Sequence, residues 1–128
     1  MTAFTIYHNP RCSKSRATLE LLREHGIEPR IVEYLKTPPS AAELKSLVAK
    51  LGMKPEALVR KSEDVYRQEY AGKVLSDAQW LGALAKHPIL IERPIVVSGQ
   101  RAVLGRPPEN VTDLLRLHVT HALRDRVA

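Results

Sequence analysis

Cys12 is the only cysteine in the 128 residues, and it stands where an apolar run gives way to a helical pattern. Phe4-Thr5-Ile6-Tyr7 leads into His8-Asn9-Pro10-Arg11-Cys12-Ser13-Lys14-Ser15-Arg16, after which Ala17, Leu19, Leu21 and Leu22 follow at helical spacing. A cysteine at that junction meets the free N–H groups and the positive dipole end of the new helix. His8, Arg11, Lys14 and Arg16 add positive charge to the same field. All of these favour the thiolate, which is the nucleophilic form. The same loop suits an oxyanion. The competing reading is an inert buried cysteine, a common fate for an unpaired one. The polar, cationic flanks favour the reactive thiol.

Cys12-Ser13-Lys14-Ser15 keeps the spacing of a Cys-x-x-Cys redox motif, with serine in the second place. Ser15 cannot resolve a mixed disulfide, so an intermediate on Cys12 needs a thiol from outside. On this reading Ser15 has no redox chemistry to lose, and replacing it by alanine is expected to be nearly silent. A phosphatase-type loop would need arginine six positions after the cysteine, where Thr18 stands. His8, His25, His87, His118 and His121 lack the spacing of metal ligands, and no metal is expected. No glycine-rich phosphate loop and no Ser/His/Asp signature is present. Arg93-Pro94 and Arg106-Pro107 stand out as a pair at the edges of the C-terminal strands. Proline pushes each preceding arginine into an extended conformation, which fixes where its side chain leaves the chain. Whether Arg93 faces Cys12 or is a solvated arginine at a strand end stays open at this level.

Composition narrows the class. Twenty basic and 14 acidic side chains give a net charge of +6, scattered along the chain with no dense run beyond the Cys12 loop. Aromatics are 5% and are not interleaved with the basic residues, so neither nucleic acid nor membrane is an expected partner. One cysteine allows no internal disulfide and suits a reducing, cytoplasmic compartment. The start Met1-Thr2-Ala3-Phe4 does not resemble a signal peptide, and no apolar run approaches a membrane span of ~20 residues. The length fits a single domain over residues 1–128.

The elements that must carry these residues read in order. A strand at Phe4–Tyr7, a helix from Lys14 to about His25 stopped by Gly26, and a short strand at Arg30–Tyr34 form a β-α-β unit with parallel pairing expected. Residues 36 to 88 show no strand signal and read as a helical insertion. Ser40-x-x-Glu43 and Ser76-x-x-Gln79 open two of its helices as capping boxes. Ile95-Val96-Val97 and Ala102-Val103-Leu104 flank a hairpin turn at Ser98-Gly99-Gln100-Arg101, and a helix with Val111, Leu114, Leu115 and His118 begins at Pro107-Pro108. A polar, Arg-rich tail, expected to be frayed, covers about 119–128. The sum is an α/β, thioredoxin-like fold with helices inserted between its β-α-β and β-β-α halves. In such folds a cis-proline before the third strand faces the thiol, and Pro94 holds that position.

A set of separated motifs then carries a family likeness. Tyr7-His8-Asn9-Pro10-x-Cys12, Glu28-Pro29, Tyr34-Leu35, Ala57-Leu58-Val59-Arg60-Lys61, His87 through Val97, and Gly105-Arg106-Pro107-Pro108 resemble, in this order, the ArsC-type, glutaredoxin-linked arsenate reductases. The likeness runs from about Phe4 to Leu117 and is nearest to a chromosomal subgroup with Arg-Cys-Ser-Lys-Ser at the active loop. It implies Cys12 as nucleophile, Arg60, Arg93 and Arg106 as oxyanion-binding arginines, and His8 as a support of the thiolate. It further implies reduction of arsenate to arsenite with no bound cofactor, glutathione as external reductant and glutaredoxin as protein partner. Two alternatives share these residues. One is a glutathione-dependent thiol reductase acting on another oxyanion or a mixed disulfide. The other is an RNA polymerase-binding regulator of the kind that switches through Cys-x-x-Cys, which Ser15 disfavours.

Overall fold

The structure, a computed structural model, describes residues 3–116. It falls into two compact units, one formed by the chain up to Val32 and again from Arg93, the other by Glu33–Glu92. His118, His121 and the tail expected to fray lie outside the described residues.

The first unit is built on four strands, β1 (Phe4–His8), β2 (Arg30–Glu33), β3 (Ile95–Ser98) and β4 (Arg101–Leu104), in the order β2-β1-β3-β4. β3 runs antiparallel to β1, with Tyr7 opposite Ile95, and antiparallel to β4, with Ser98 opposite Arg101. That last register leaves Gly99 and Gln100 as a two-residue hairpin loop. Gly99 carries φ 62, the positive value that a type II′ turn demands of its first central residue. β2 ends one residue earlier than the pattern suggested, at Glu33.

Helix α1 (Ser13–Glu24) buries Ser15, Thr18, Leu19 and Leu22, a stripe at i, i+3, i+4 and i+7. Its end is closed by Gly26 N–H donating to the Arg23 carbonyl at 2.9 Å and Ile27 N–H to that of Leu22 at 3.0 Å, the paired bonds of a Schellman motif. Leu19 and Leu22 join Phe4, Ile6, Val96, Val111, Leu114 and Leu115 in one core, flanked by Leu21, Ile27 and Val103. The stripe therefore changes character along its length. Its C-terminal half is apolar and makes core, while its first turns, next to Cys12, are buried yet polar.

The second unit holds α2 (Ala41–Leu51), α3 (Asp64–Glu69) and α4 (Asp77–Lys86), with short 3₁₀ turns at Pro55–Leu58 and Pro88–Leu90. Ser40 caps α2 by accepting from the Glu43 N–H at 3.1 Å, and Ser76 and Gln79 cap α4 reciprocally. α2 packs on α4 through buried Leu44, Leu47, Val48, Trp80, Leu81 and Leu84. Tyr66 stacks on Trp80 with ring centres 6.4 Å apart. No helix among the described residues is long and apolar enough to cross a membrane.

Candidate active site around Cys12

Cys12 caps α1 with extended backbone (φ −93, ψ 122), so its carbonyl accepts the first helical bond, from Arg16 N–H at 3.0 Å. Its side chain is only partly exposed. Burial pushes the thiol pKa up, but the backbone N–H groups of Ser15 and Lys14 donate to the sulfur and pull it down. Arg93 adds a hydrogen bond and its charge in the same direction, and the net result lies below the ordinary cysteine value. The helix start thus acts through two particular amides. Among the basic neighbours counted in the sequence, Arg16 turns away, its Nη1 donating to the Pro10 carbonyl at 3.0 Å.

Two arginines from the far end of the chain meet this sulfur. Arg106 Nη1 lies 3.9 Å from Cys12 Sγ and donates to the Arg93 carbonyl at 3.3 Å. Both arginines precede cis peptide bonds, Arg93–Pro94 and Arg106–Pro107. Of the two readings open for Arg93, its contribution to the lowered thiol pKa favours the one in which it faces Cys12. A thiolate with two forked guanidinium groups beside it offers a nucleophile and a seat for a tetrahedral oxyanion in one place.

Ser15 corrects an expectation: its hydroxyl holds the active loop, so replacing it by alanine is not expected to be silent. Its hydroxyl is fully buried, accepts from the Asn9 N–H at 3.0 Å and pairs with His8 Nδ1 at 2.7 Å. Asn9 Oδ1 in turn accepts from the Arg11 N–H at 3.0 Å, and Cys12 N–H donates to the Asn9 carbonyl at 3.0 Å. The loop is thus tied on both sides of the thiol, and His8 enters it through Ser15. Its only sequence signal was position, three residues before Thr18 on the face that becomes core.

Arg60 belongs to the second unit. It follows a bridge between Val59 and Ile91, with Arg60 N–H donating to the Leu90 carbonyl at 2.7 Å and Glu92 N–H to that of Leu58 at 2.8 Å. Its Nη1 lies 2.6 Å from Glu92 Oε1 and its Nε 3.5 Å from Glu63 Oε2. Burial lowers its pKa, and the two carboxylates more than reverse this, so the guanidinium stays charged. The structure brings Cys12, His8, Ser15, Arg93, Pro94 and Arg106 together in the first unit and holds Arg60 in an ion-pair network in the second. Among the described residues no cluster of three or more potential metal ligands occurs.

The ArsC family profile matches residues 7–114, a span that runs from the end of β1 past both arginine–proline pairs. The chain belongs to the ArsC family. Its relatives include an uncharacterized Escherichia coli K12 protein, YfgD, 49% identical over 112 residues, covering 86% of this chain and 94% of that one. An Escherichia coli arsenate reductase is 47% identical over 116 residues, covering 90% of this chain and 82% of its own length. Among solved structures, an arsenate reductase from Vibrio cholerae superimposes with a TM-score of 0.85 at 48% identity, covering 88% of this chain and 97% of that one. The ArsC fold is thus the thioredoxin-like one that the order of elements implied.

Proposed function

We propose that this chain reduces arsenate to arsenite, with Cys12 as the nucleophile and Arg93 and Arg106 as oxyanion ligands. The observation that carries the reading is the Cys12 sulfur at the start of α1 with the Arg106 guanidinium 3.9 Å away, in a family whose relatives include proteins named arsenate reductases. Arg60, held by Glu92 and Glu63, is the third arginine that the family likeness assigns to the oxyanion, and His8 supports the thiolate loop through Ser15.

The chemistry follows from these groups. The Cys12 thiolate attacks arsenic(V), forming a sulfur–arsenic bond while one arsenate oxygen is protonated and leaves as water. The arginines offset the negative charge that gathers on the remaining oxygens. Glutathione displaces a second oxygen in the same way. A glutaredoxin thiolate then attacks the glutathione sulfur, and the sulfur–arsenic electron pair passes to arsenic. Two thiols are oxidised to a mixed disulfide and arsenic(V) becomes arsenic(III). Hydrolysis of the remaining bond releases arsenite and restores Cys12. With one cysteine in the chain, both reducing thiols come from outside, which fits a reducing cytoplasm.

The test is a steady-state assay with arsenate, glutathione, glutaredoxin, glutathione reductase and NADPH. Arsenate-dependent NADPH oxidation is expected from the native chain and none from Cys12→Ser, whose hydroxyl stays protonated at neutral pH. Equal turnover by both would remove Cys12 from the reaction. Turnover with another oxyanion or a mixed disulfide, but not with arsenate, would transfer the same site to that substrate.

A further inference from the structure

Thr18 is completely buried, one turn beyond Ser15 on the face of α1 that turns inward. Its Oγ1 lies 2.8 Å from the Lys14 carbonyl and 3.3 Å from the Gly105 carbonyl. A threonine hydroxyl has one proton, so the two carbonyls share it. Gly105 lies close against this side chain. A Cβ there would sit 2.5 Å from Thr18 Oγ1 and 2.8 Å from Pro94 Cγ, inside van der Waals contact on both sides. Gly105 N–H also donates to the Pro94 carbonyl at 2.9 Å. Gly105 and Pro94 are the residues next to Arg106 and Arg93, and those arginines are joined by the Arg106 Nη1 bond to the Arg93 carbonyl.

The contacts close a ring. From Cys12 it passes along the first two turns of α1 to Thr18, across to Gly105 and Pro94, and through Arg93 and Arg106 back to the sulfur. Thr18 links the body of the helix that presents the thiol to the loops that present the guanidinium groups, as Arg106 links its start. The geometry points to Thr18 as a positioning residue that sets the distance between the Cys12 thiolate and the Arg93–Arg106 oxyanion seat, by holding its hydroxyl and methyl against Gly105, which in turn bonds Pro94. This inference rests on the oxyanion reading above for its substrate, but not for its effect on the thiol.

Thr18→Val keeps shape and removes the hydroxyl, and Thr18→Ser keeps the hydroxyl. The full chain is treated with iodoacetamide across a pH series, with and without arsenate. Thr18→Val is expected to alkylate about threefold more slowly at neutral pH and to need about five- to tenfold more arsenate for half-protection, the loss appropriate to one hydrogen bond. In turnover its KM should rise by the same factor, with kcat within about twofold. Thr18→Ser should restore all three to within about twofold of the native chain. A merely structural threonine would lower thermal stability and leave these readings alone, and that result overturns the inference, as does a serine variant as impaired as valine. If valine fails to fold, Thr18→Ala replaces it under the same criteria. Should the native thiol show no arsenate protection, the oxyanion reading fails by itself, and the alkylation profiles of the variants still decide the role of Thr18.

Discussion

Removing the Ser15 hydroxyl is the sharpest local test of how the active loop is held. Ser15→Ala deletes the acceptor for the Asn9 N–H at 3.0 Å and the partner of His8 Nδ1 at 2.7 Å, both buried. A buried donor left without its acceptor costs about 1–3 kcal/mol, and the second bond adds about 0.5–1.5. Alanine returns about half a kcal/mol as the better helix former. The net loss is therefore roughly 1–4 kcal/mol on those scales. For a chain of 128 residues, an unfolding entropy of about 2.1 cal/mol/K per residue converts this to a fall in Tm of roughly 4–15 °C. The same loosening reaches the sulfur, because the Ser15 N–H is the strongest of the groups that lower the thiol pKa. A donor that favours the charged form raises the pKa when it is lost, so alkylation of Cys12 should become half-maximal at higher pH. Calorimetry and an iodoacetamide rate–pH profile read the two effects. Exposed Ser13, two residues earlier, is the control, and Ser13→Ala should stay within about 0.5 kcal/mol. A Ser15→Ala protein with native Tm and a native alkylation profile would refute the claim that this hydroxyl organises the loop.

Other expectations follow from the same geometry. In the native chain, Cys12 alkylation should be half-maximal below the ordinary thiol value of about 8.5, and Arg93→Gln should move that midpoint upward by removing a hydrogen bond and a charge; an unmoved midpoint would detach Arg93 from the thiol. Arg93→Lys and Arg106→Lys should each weaken protection of Cys12 by sulfate or arsenate by about 1–3 kcal/mol, because an ammonium cannot reproduce the fork; unchanged protection in both would reduce them to bystanders. Glu92→Gln should cost the second unit about 1–2 kcal/mol, less than a fully buried pair because Glu63 remains and both side chains keep some solvent, 17% at Arg60 and 24% at Glu92; denaturant melts that coincide with the native chain would assign the pair no stabilising role.

Where the sequence was legible, the signal was local. Ser40 with Glu43 and Ser76 with Gln79 are caps because a short oxygen three residues before an acid or amide meets unpaired helix N–H groups in any context. Gly99 marks the hairpin for an equally local reason. The order of these elements was enough to imply the thioredoxin-like arrangement, and the strand-to-helix junction was enough to single out Cys12. Ser15 and Thr18 went unread because their signals conflict. Their spacing with Leu19 and Leu22 places them on the inner face of α1, while their polarity reads as surface. The conflict resolves only when the partners are known, and those lie in the preceding loop for Ser15 and at Gly105 for Thr18.

The charge pattern around Cys12 and the structure assign the lowered thiol pKa to different groups. Arg11, Lys14 and Arg16 make the loop basic in sequence, yet the strongest pull on the sulfur comes from the Ser15 and Lys14 backbone amides, which side-chain identity does not reveal. The next contribution, from Arg93, arrives through the fold. A local charge count sees neither. A loop that opens a helix at its cysteine supplies oriented N–H groups whatever its side chains are. The side chains at Ser15 and Thr18 serve a separate purpose, which is to keep those amides, the sulfur and the two arginines in register. On this account substitutions of the exposed loop cations should matter less to Cys12 reactivity than those of the two buried hydroxyls, an ordering opposite to the one that charge alone suggests.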